Sequence, residues 1–141
     1  MFVLDNNFII DVVTRRSSKS SEYAKVLAHV VESGQCAIPS CSLHNLEYVL
    51  QKQYRADLVT YRRLLPALRI IKTPSYVDFE CDLAGADIED YLIELSARAV
   101  EGRVITSDKL FLERSELAIH PDNYFDVIRK QQHAIPFCDL K

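Results

Sequence analysis

The sequence predicts an α/β fold: an α/β/α sandwich around a mostly parallel central sheet of four to five strands. Short apolar runs typical of buried strands alternate along the chain with stretches that have helical periodicity. The length of 141 residues, with 48% hydrophobic and 26% charged residues, fits one globular domain that needs no disulfides. We assign residues 1–130 to this domain and residues 131–141 to a C-terminal tail.

Strands and helices follow one another in a regular order. The predicted strands are Phe2–Leu4, Cys36–Pro39, Leu68–Lys72, Arg103–Thr106 and Leu117–Ile119. The predicted helices cover residues 7–15, 21–33, 43–55, 57–66, 76–84 and 87–101, and a final segment covers 122–130. Apolar side chains recur at helical spacing in these stretches, and Gly34 and Gly102 stand just past two helix ends.

Charge and composition exclude several classes of function. The net charge of −3 excludes a general electrostatic attraction to nucleic acid, so such contacts would need local basic tracts such as Arg15, Arg16 and Lys19. Three glycines in all exclude a glycine-rich phosphate loop. The apolar runs are too short to span a bilayer and the N-terminus lacks a signal-peptide pattern, so we expect a cytoplasmic protein with free thiols and no membrane partner.

Two aspartates stand just beyond the ends of predicted strands. Asp5 follows the first strand and Asp108 follows the fourth. In parallel α/β sheets, sites form outside the carboxyl ends of the strands, so these positions favour a functional role. Taken alone, Asp5 is better explained as the N-cap of the next helix, a role that Asn6 or Asn7 could fill equally well. Ser107 or Asp108 could likewise cap the short helix that contains Leu110 and Phe111.

Glu47 has a position that calls for a partner. It falls within the apolar stripe of its predicted helix, which is formed by Leu43, Leu46, Leu50 and Tyr54. A buried charge costs on the order of several kcal/mol unless it is paired or coordinates a cation. The alternative is a salt bridge at the edge of the stripe.

Asp90 lies in the stretch DIEDYLIELSA, opposite the apolar face of its helix, where a solvated polar face explains it. Asp87, three residues earlier, would repel it unless a cation or the helix dipole compensates. If Asp5, Glu47, Asp90 and Asp108 converge, their mutual repulsion calls for a counter-cation, and oxygen ligands suit Mg²⁺ or Mn²⁺.

Four segments of the chain resemble the PIN-domain family, and more narrowly its VapC-type toxin ribonucleases. These segments are VLDNNFIID, IPSCSLHNLEYVL, DIEDYLIELSARAVEGRVITSDKLF and LAIHPDNYFDVI. The resemblance implies a PIN-like sandwich in which Asp5, Glu47, Asp90 and Asp108 are the catalytic metal ligands. It also implies an auxiliary role for Asn7, Asp87 and Ser107.

The resemblance implies a Mg²⁺- or Mn²⁺-dependent endoribonuclease, the toxin of a type II toxin–antitoxin pair, with RNA as substrate. A homodimer and a cognate antitoxin protein are the expected partners. The basic side chains expected to contact RNA phosphates are those of Arg15, Arg16, Lys19 and Lys109.

Rival interpretations come from other classes of protein. The first is a PIN-like binding or scaffold module that no longer cleaves, which is suggested by Asn6 and Ser107 at positions where the family usually has other residues. A haloacid-dehalogenase-type enzyme would need an aspartate at the position of Asn7, and a response-regulator receiver would need an acidic pair at the end of the first strand. A structural domain with dispersed acids leaves the position of Glu47 unexplained.

Overall fold

The computed structural model describes residues 1–74 and 88–134. The strands are β1 (Phe2–Leu4), β2 (Cys36–Pro39), β3 (Arg69–Ile71), β4 (Arg103–Ile105) and β5 (Ala118–Ile119). The helices are α1 (Asn6–Thr14), α2 (Ser20–Glu32), α3 (Ser40–Gln53), α4 (Leu58–Leu64), α5 (Ile88–Ala99), α6 (Lys109–Arg114) and α7 (Tyr124–Ala134). Short 3₁₀ turns occur at Arg55–Asp57, Leu65–Ala67 and Pro121–Asn123.

The five strands form one parallel sheet in the order β3-β2-β1-β4-β5. In this order, β2 and β3 lie on one side of β1, and β4 and β5, which come later in the chain, lie on the other side. The direction of strand succession therefore reverses between β1 and β4. In parallel α/β sheets, the crevice at such a reversal, outside the carboxyl ends of the strands, is where ligands bind.

Helices cover both faces of the sheet, because successive strand residues point to opposite faces. On one face, Leu4 of β1 belongs to a core built with α1, α2 and α3, and Phe8 and Leu46 are fully buried there. On the other face, Val3 of β1 belongs to a second core with Ile93 of α5. The structure is a three-layer α/β/α sandwich with a five-stranded parallel sheet, which confirms the predicted fold class.

The elements differ from the predicted bounds mainly at their ends. α3 begins at Ser40, directly after the extended backbone of Pro39, rather than at residue 43. α7 continues through Ala134, so the predicted boundary between domain and tail at residue 130 falls within a helix. The helix predicted over 76–84 lies outside the described residues. Across the two described ranges, no helix combines the length and the apolar character needed to cross a bilayer.

Candidate functional site

A cavity of about 610 Å³ is lined by residues from the carboxyl ends of β1 and β4, where the strand order reverses. The carboxylates that line it are Asp5, Asp11, Glu89, Asp90 and Asp108. Amides and a guanidinium also line it, from Asn6, Asn7, Asn45, Gln53 and Arg114. Three of the four acids singled out in the sequence, Asp5, Asp90 and Asp108, therefore share one cavity.

Asp5 is held at the end of β1 by hydrogen bonds to both carboxylate oxygens. The backbone N–H of Asn6 donates to Oδ1 at 2.8 Å, and the hydroxyl of Thr106 donates to Oδ2 at 2.6 Å. The Asp5 N–H donates to the carbonyl of Ile105 at 3.0 Å, which extends the pairing of β1 with β4 by one residue. Asp5 thus caps α1 and is fixed in orientation by a residue of the neighbouring strand's end.

The carboxyl of Asp5 is electrostatically perturbed. Burial raises its pKa from the ordinary value of 3.8 to about 6, since the side chain is 2% exposed. The hydrogen bonds from Thr106 and Asn6 lower the pKa, and the charges of Asp108 and Glu89 raise it again. Asp5 therefore has two carboxylates close enough to repel its charge, one after β4 and one on α5.

Asp108 repeats this arrangement at the end of β4. Its Oδ1 accepts hydrogen bonds from the N–H groups of Leu110 at 2.9 Å and Phe111 at 3.4 Å, so it caps α6. The N–H of Asp108 donates to the Thr106 hydroxyl oxygen at 3.0 Å. Since that hydroxyl also donates to Asp5, Thr106 connects the two aspartates. Both act as helix caps as well as lining the cavity.

Glu89 is held in the cavity by two side-chain amides. Nδ2 of Asn6, in α1, donates to its Oε1, and Nδ2 of Asn45, in α3, donates to its Oε2 at 2.7 Å. Glu89 lies in the first turn of α5, so residues from three helices meet at this carboxylate. Among the residues that the structure describes, the buried Oδ1 of Asn6 has no hydrogen-bond partner.

Glu47 does not line the cavity. Its Oε1 accepts a hydrogen bond from Nε of Arg62 at 3.1 Å, and both side chains are exposed to solvent by about half, 42% and 59% respectively. This corrects the expectation that Glu47 meets Asp5 and Asp108. The structure shows the alternative, a salt bridge at the edge of the helix.

The helical phase of α3 explains why Glu47 points elsewhere. The helix buries Ser42, Leu46 and Leu50, which are four residues apart. Successive residues of a helix are rotated by about 100°, so Asn45 and Glu47 project to opposite sides of the buried Leu46. The flank of Asn45, which includes Val49 and Gln53, faces the cavity.

The auxiliary residues have mixed positions. Asn7 lines the cavity, and the hydroxyl of Ser107 donates to Oδ2 of Asp11 at 3.1 Å. Asp87 lies outside the described residues. Sequence reasoning missed Asp11, which lies on α1, six residues after Asp5. Its only signal in the sequence is that it is the second acid of the segment VLDNNFIID.

The basic residues expected to contact RNA are also dispersed. The guanidinium of Arg16 lies 4.0 Å from the ring centroid of Tyr54, a cavity residue. Lys19 instead forms an ion pair with Asp122 at 3.1 Å, away from the cavity lining. Arg15 and Lys109 are exposed. Of the four, only Arg16 contacts a residue of the cavity lining in the described contacts.

The donors at the cavity are oxygens, the type that hard divalent cations such as Mg²⁺ and Mn²⁺ prefer. The unpartnered Oδ1 of Asn6 is a buried carbonyl oxygen of the same kind. Among the residues described, no three His, Cys, Asp or Glu side chains are grouped tightly enough to hold a metal as they stand. The donor chemistry therefore fits such a cation, which would have to draw the carboxylates closer together.

Fold and site together define an α/β/α sandwich with an acidic cavity at the reversal of its strand order. No model of a known protein family matches the chain, and no curated protein matches it. The resemblance of its segments to PIN domains thus stays a prediction.

Proposed function

We propose that this protein is a metal-dependent endoribonuclease of the PIN type that hydrolyses RNA phosphodiester bonds in the acidic cavity. The main support is the position of Asp5, buried at the strand reversal beside the charges of Asp108 and Glu89. Carboxylates collected in this way lower their repulsion by binding a hard divalent cation. Of the four acids that the sequence predicts as metal ligands, Asp5, Asp90 and Asp108 are the proposed ligands, and Glu47 is not.

Asp5, Asp90 and Asp108 would hold the divalent cation, which would supply an activated water and offset the negative charge of the phosphate. The chain itself provides the orientation. Thr106 and the first N–H of α1 fix both oxygens of Asp5, and the N-terminal amides of α6 fix one oxygen of Asp108. Because these contacts exist before substrate arrives, little reorganisation is needed at the site.

The rim of the cavity offers groups suited to a nucleic-acid strand. Tyr54 lines the cavity with Arg16 stacked on its ring, and Arg114, the last residue of α6, also lines it. Guanidinium groups contact backbone phosphates, and an aromatic ring gives an unpaired base a surface to stack on. Arg15 and Lys109 are exposed and remain proposed phosphate contacts, whereas the ion pair of Lys19 with Asp122 makes it a weaker one.

The finer parts of the proposal rest on the family resemblance. They are a cytoplasmic toxin, a homodimer, and a cognate antitoxin that blocks the cavity. A gene for a small DNA-binding protein directly upstream would support the toxin role, and light scattering on the purified protein would measure the dimer. A monomer with no such neighbouring gene would favour a stand-alone nuclease.

The nuclease proposal is tested by incubating structured and unstructured RNA with the protein in Mg²⁺, in Mn²⁺ and in chelator. We expect cleavage with metal, none with chelator, and none for Asp5→Asn. Asp126→Asn is the matched control, since Asp126 pairs with Arg129 on α7 and does not line the cavity. Cleavage by Asp5→Asn at the wild-type rate would refute the site assignment.

A second candidate is a binding module that has lost cleavage. It is favoured by α3, which presents the neutral Asn45 to the cavity while its carboxylate Glu47 faces Arg62. Titration calorimetry with Mn²⁺ separates the two candidates: a module with a decayed site gives no heat of binding, whereas the nuclease does.

A further inference from the structure

We infer that Glu89 is the carboxylate that completes the site in the place expected for Glu47, and that Asn6 and Asn45 are the positioning residues that hold it there. This inference rests on the proposed function, because it assigns a ligand to the proposed metal site. Glu89 was not among the acids that the sequence singled out.

The geometry of Glu89 is that of an oriented ligand. An amide from α1 reaches one of its oxygens and an amide from α3 reaches the other, so both the position and the rotation of the carboxylate are set. Ligating carboxylates in metal sites are themselves hydrogen-bonded, and the partners fix their orientation. Because three helices contribute to this one group, its placement depends on the packed fold.

The chemistry of the two partners also matters. An arginine or lysine partner would offset the charge of Glu89 and compete with a cation for it, whereas an amide N–H orients a carboxylate and leaves its full negative charge. Glu47 shows the contrast within the same protein, because its carboxylate is paired with the guanidinium of Arg62. Two amides thus orient Glu89, whereas a guanidinium offsets the charge of Glu47.

A second observation points to a ligand at the same wall. Asn6 is 7% exposed and lines the cavity. Its Nδ2 contacts Glu89, and its buried Oδ1 has no hydrogen-bond partner within residues 1–74 and 88–134. Leaving a buried carbonyl oxygen unpaired costs free energy. A hard cation beside Glu89 would give this oxygen the partner it lacks.

The test is titration calorimetry of Mn²⁺ into four forms of the full chain: wild type, Asp5→Asn, Glu89→Gln and Glu47→Gln. Glu89→Gln and Glu47→Gln remove the same unit charge with little change in volume, so Glu47→Gln is the matched control. We expect Glu89→Gln to weaken Mn²⁺ binding at least about tenfold and Glu47→Gln to leave it at the wild-type level. Circular dichroism melting verifies the fold of each variant, and Glu89→Ala replaces Glu89→Gln if the latter does not fold.

The outcomes separate this inference from the proposed function. Mn²⁺ binding that is lost in Asp5→Asn but unchanged in Glu89→Gln would overturn the role of Glu89 and leave the nuclease proposal standing. No heat of binding to the wild type would overturn both. Equal weakening by Glu89→Gln and Glu47→Gln would indicate a general charge effect and would also overturn the role of Glu89.

The positioning role of Asn45 is tested by a double-mutant cycle on the same readout. Asn45→Ala should weaken Mn²⁺ binding about tenfold in the wild-type background and have almost no effect when Glu89 is already glutamine. A residue that supports only the fold would give additive losses, and that result would overturn the positioning role. Asn45→Ala is preferred to a change at Asn6, since Asn6 is buried at the start of α1.

Discussion

Replacing Asp5 with asparagine is expected to stabilise the metal-free protein at neutral pH, although it removes a proposed ligand. The pKa of Asp5 is about 6 in the folded protein, against an ordinary value of 3.8, and this difference corresponds to ~3 kcal/mol. Because the pKa is raised by folding, the folded chain binds this proton more tightly than the unfolded chain. The resulting stabilisation is fully present below a pH of 3.8 and is lost as the pH rises to about 6.

An asparagine at this position is uncharged at every pH and close in shape to a protonated aspartate. The free energy of unfolding of Asp5→Asn, relative to wild type, should therefore rise by ~3 kcal/mol between acidic and neutral pH. The variant also alters the hydrogen bond from the Thr106 hydroxyl. That cost is present at every pH, so the pH dependence of the difference, and not its absolute value, measures the titration of Asp5.

The assay is urea unfolding of both proteins in chelator, followed by circular dichroism, at pH values below and above the pKa of Asp5. A difference in stability that is the same at both pH values would show that Asp5 titrates as an ordinary carboxylate and would refute the argument. Mn²⁺ at about one hundred times its dissociation constant should then stabilise the wild type by about 2.7 kcal/mol and leave Asp5→Asn almost unchanged.

Three further predictions concern other parts of the structure. Thr106→Val removes the hydroxyl that donates to Asp5 and should lower the free energy of unfolding at neutral pH by ~1.5–3 kcal/mol in urea titrations; wild-type stability would contradict a structural role for this contact. Gly102→Ala places a Cβ 2.6 Å from the carbonyl oxygen of Met1 and should lower the free energy of unfolding, measured by thermal unfolding, by ~1–3 kcal/mol. An unchanged melting temperature would show that the start of β1 shifts freely. Burial raises the pKa of the Cys36 thiol to about 12, so iodoacetamide should leave Cys36 unmodified at neutral pH until urea unfolds the chain. Peptide mass spectrometry measures the modification, and rapid labelling of the folded protein would contradict the prediction.

The fold could be predicted from local features. Phe2–Leu4 and Cys36–Pro39 are short apolar runs whose strand bounds match the structure, because a strand buried on both faces shows itself as an uninterrupted apolar stretch. Asp5 and Asp108 could be placed at the carboxyl edge of the sheet for a similar reason, since Asp5 directly follows such a run and Asp108 stands just beyond another. The apolar period and the following Gly102 predict a helix over 87–101, and the structure has it at Ile88–Ala99.

The membership of the site was harder to predict, and Glu47 shows why. Leu43, Leu46 and Leu50 suggested a stripe that includes Glu47, but α3 turns Ser42 inward with Leu46 and Leu50. A rotation of the helix by a fraction of a turn moves a side chain from the core to the surface. Single-sequence periodicity does not resolve a rotation of this size when a small polar residue such as Ser42 is buried.

The sequence by itself determined the strands, the helices that separate them and the two aspartates that end β1 and β4, since all of these depend on neighbours along the chain. Only the tertiary structure decided that β4 lies beside β1, and that Glu89 meets Asn6 and Asn45 while Glu47 pairs with Arg62. Those contacts join residues up to 101 positions apart, as in the pairing of Phe2 with Arg103. They depend on strand order and on the rotation of each helix against the sheet, which the packing of the whole core sets and no local segment encodes.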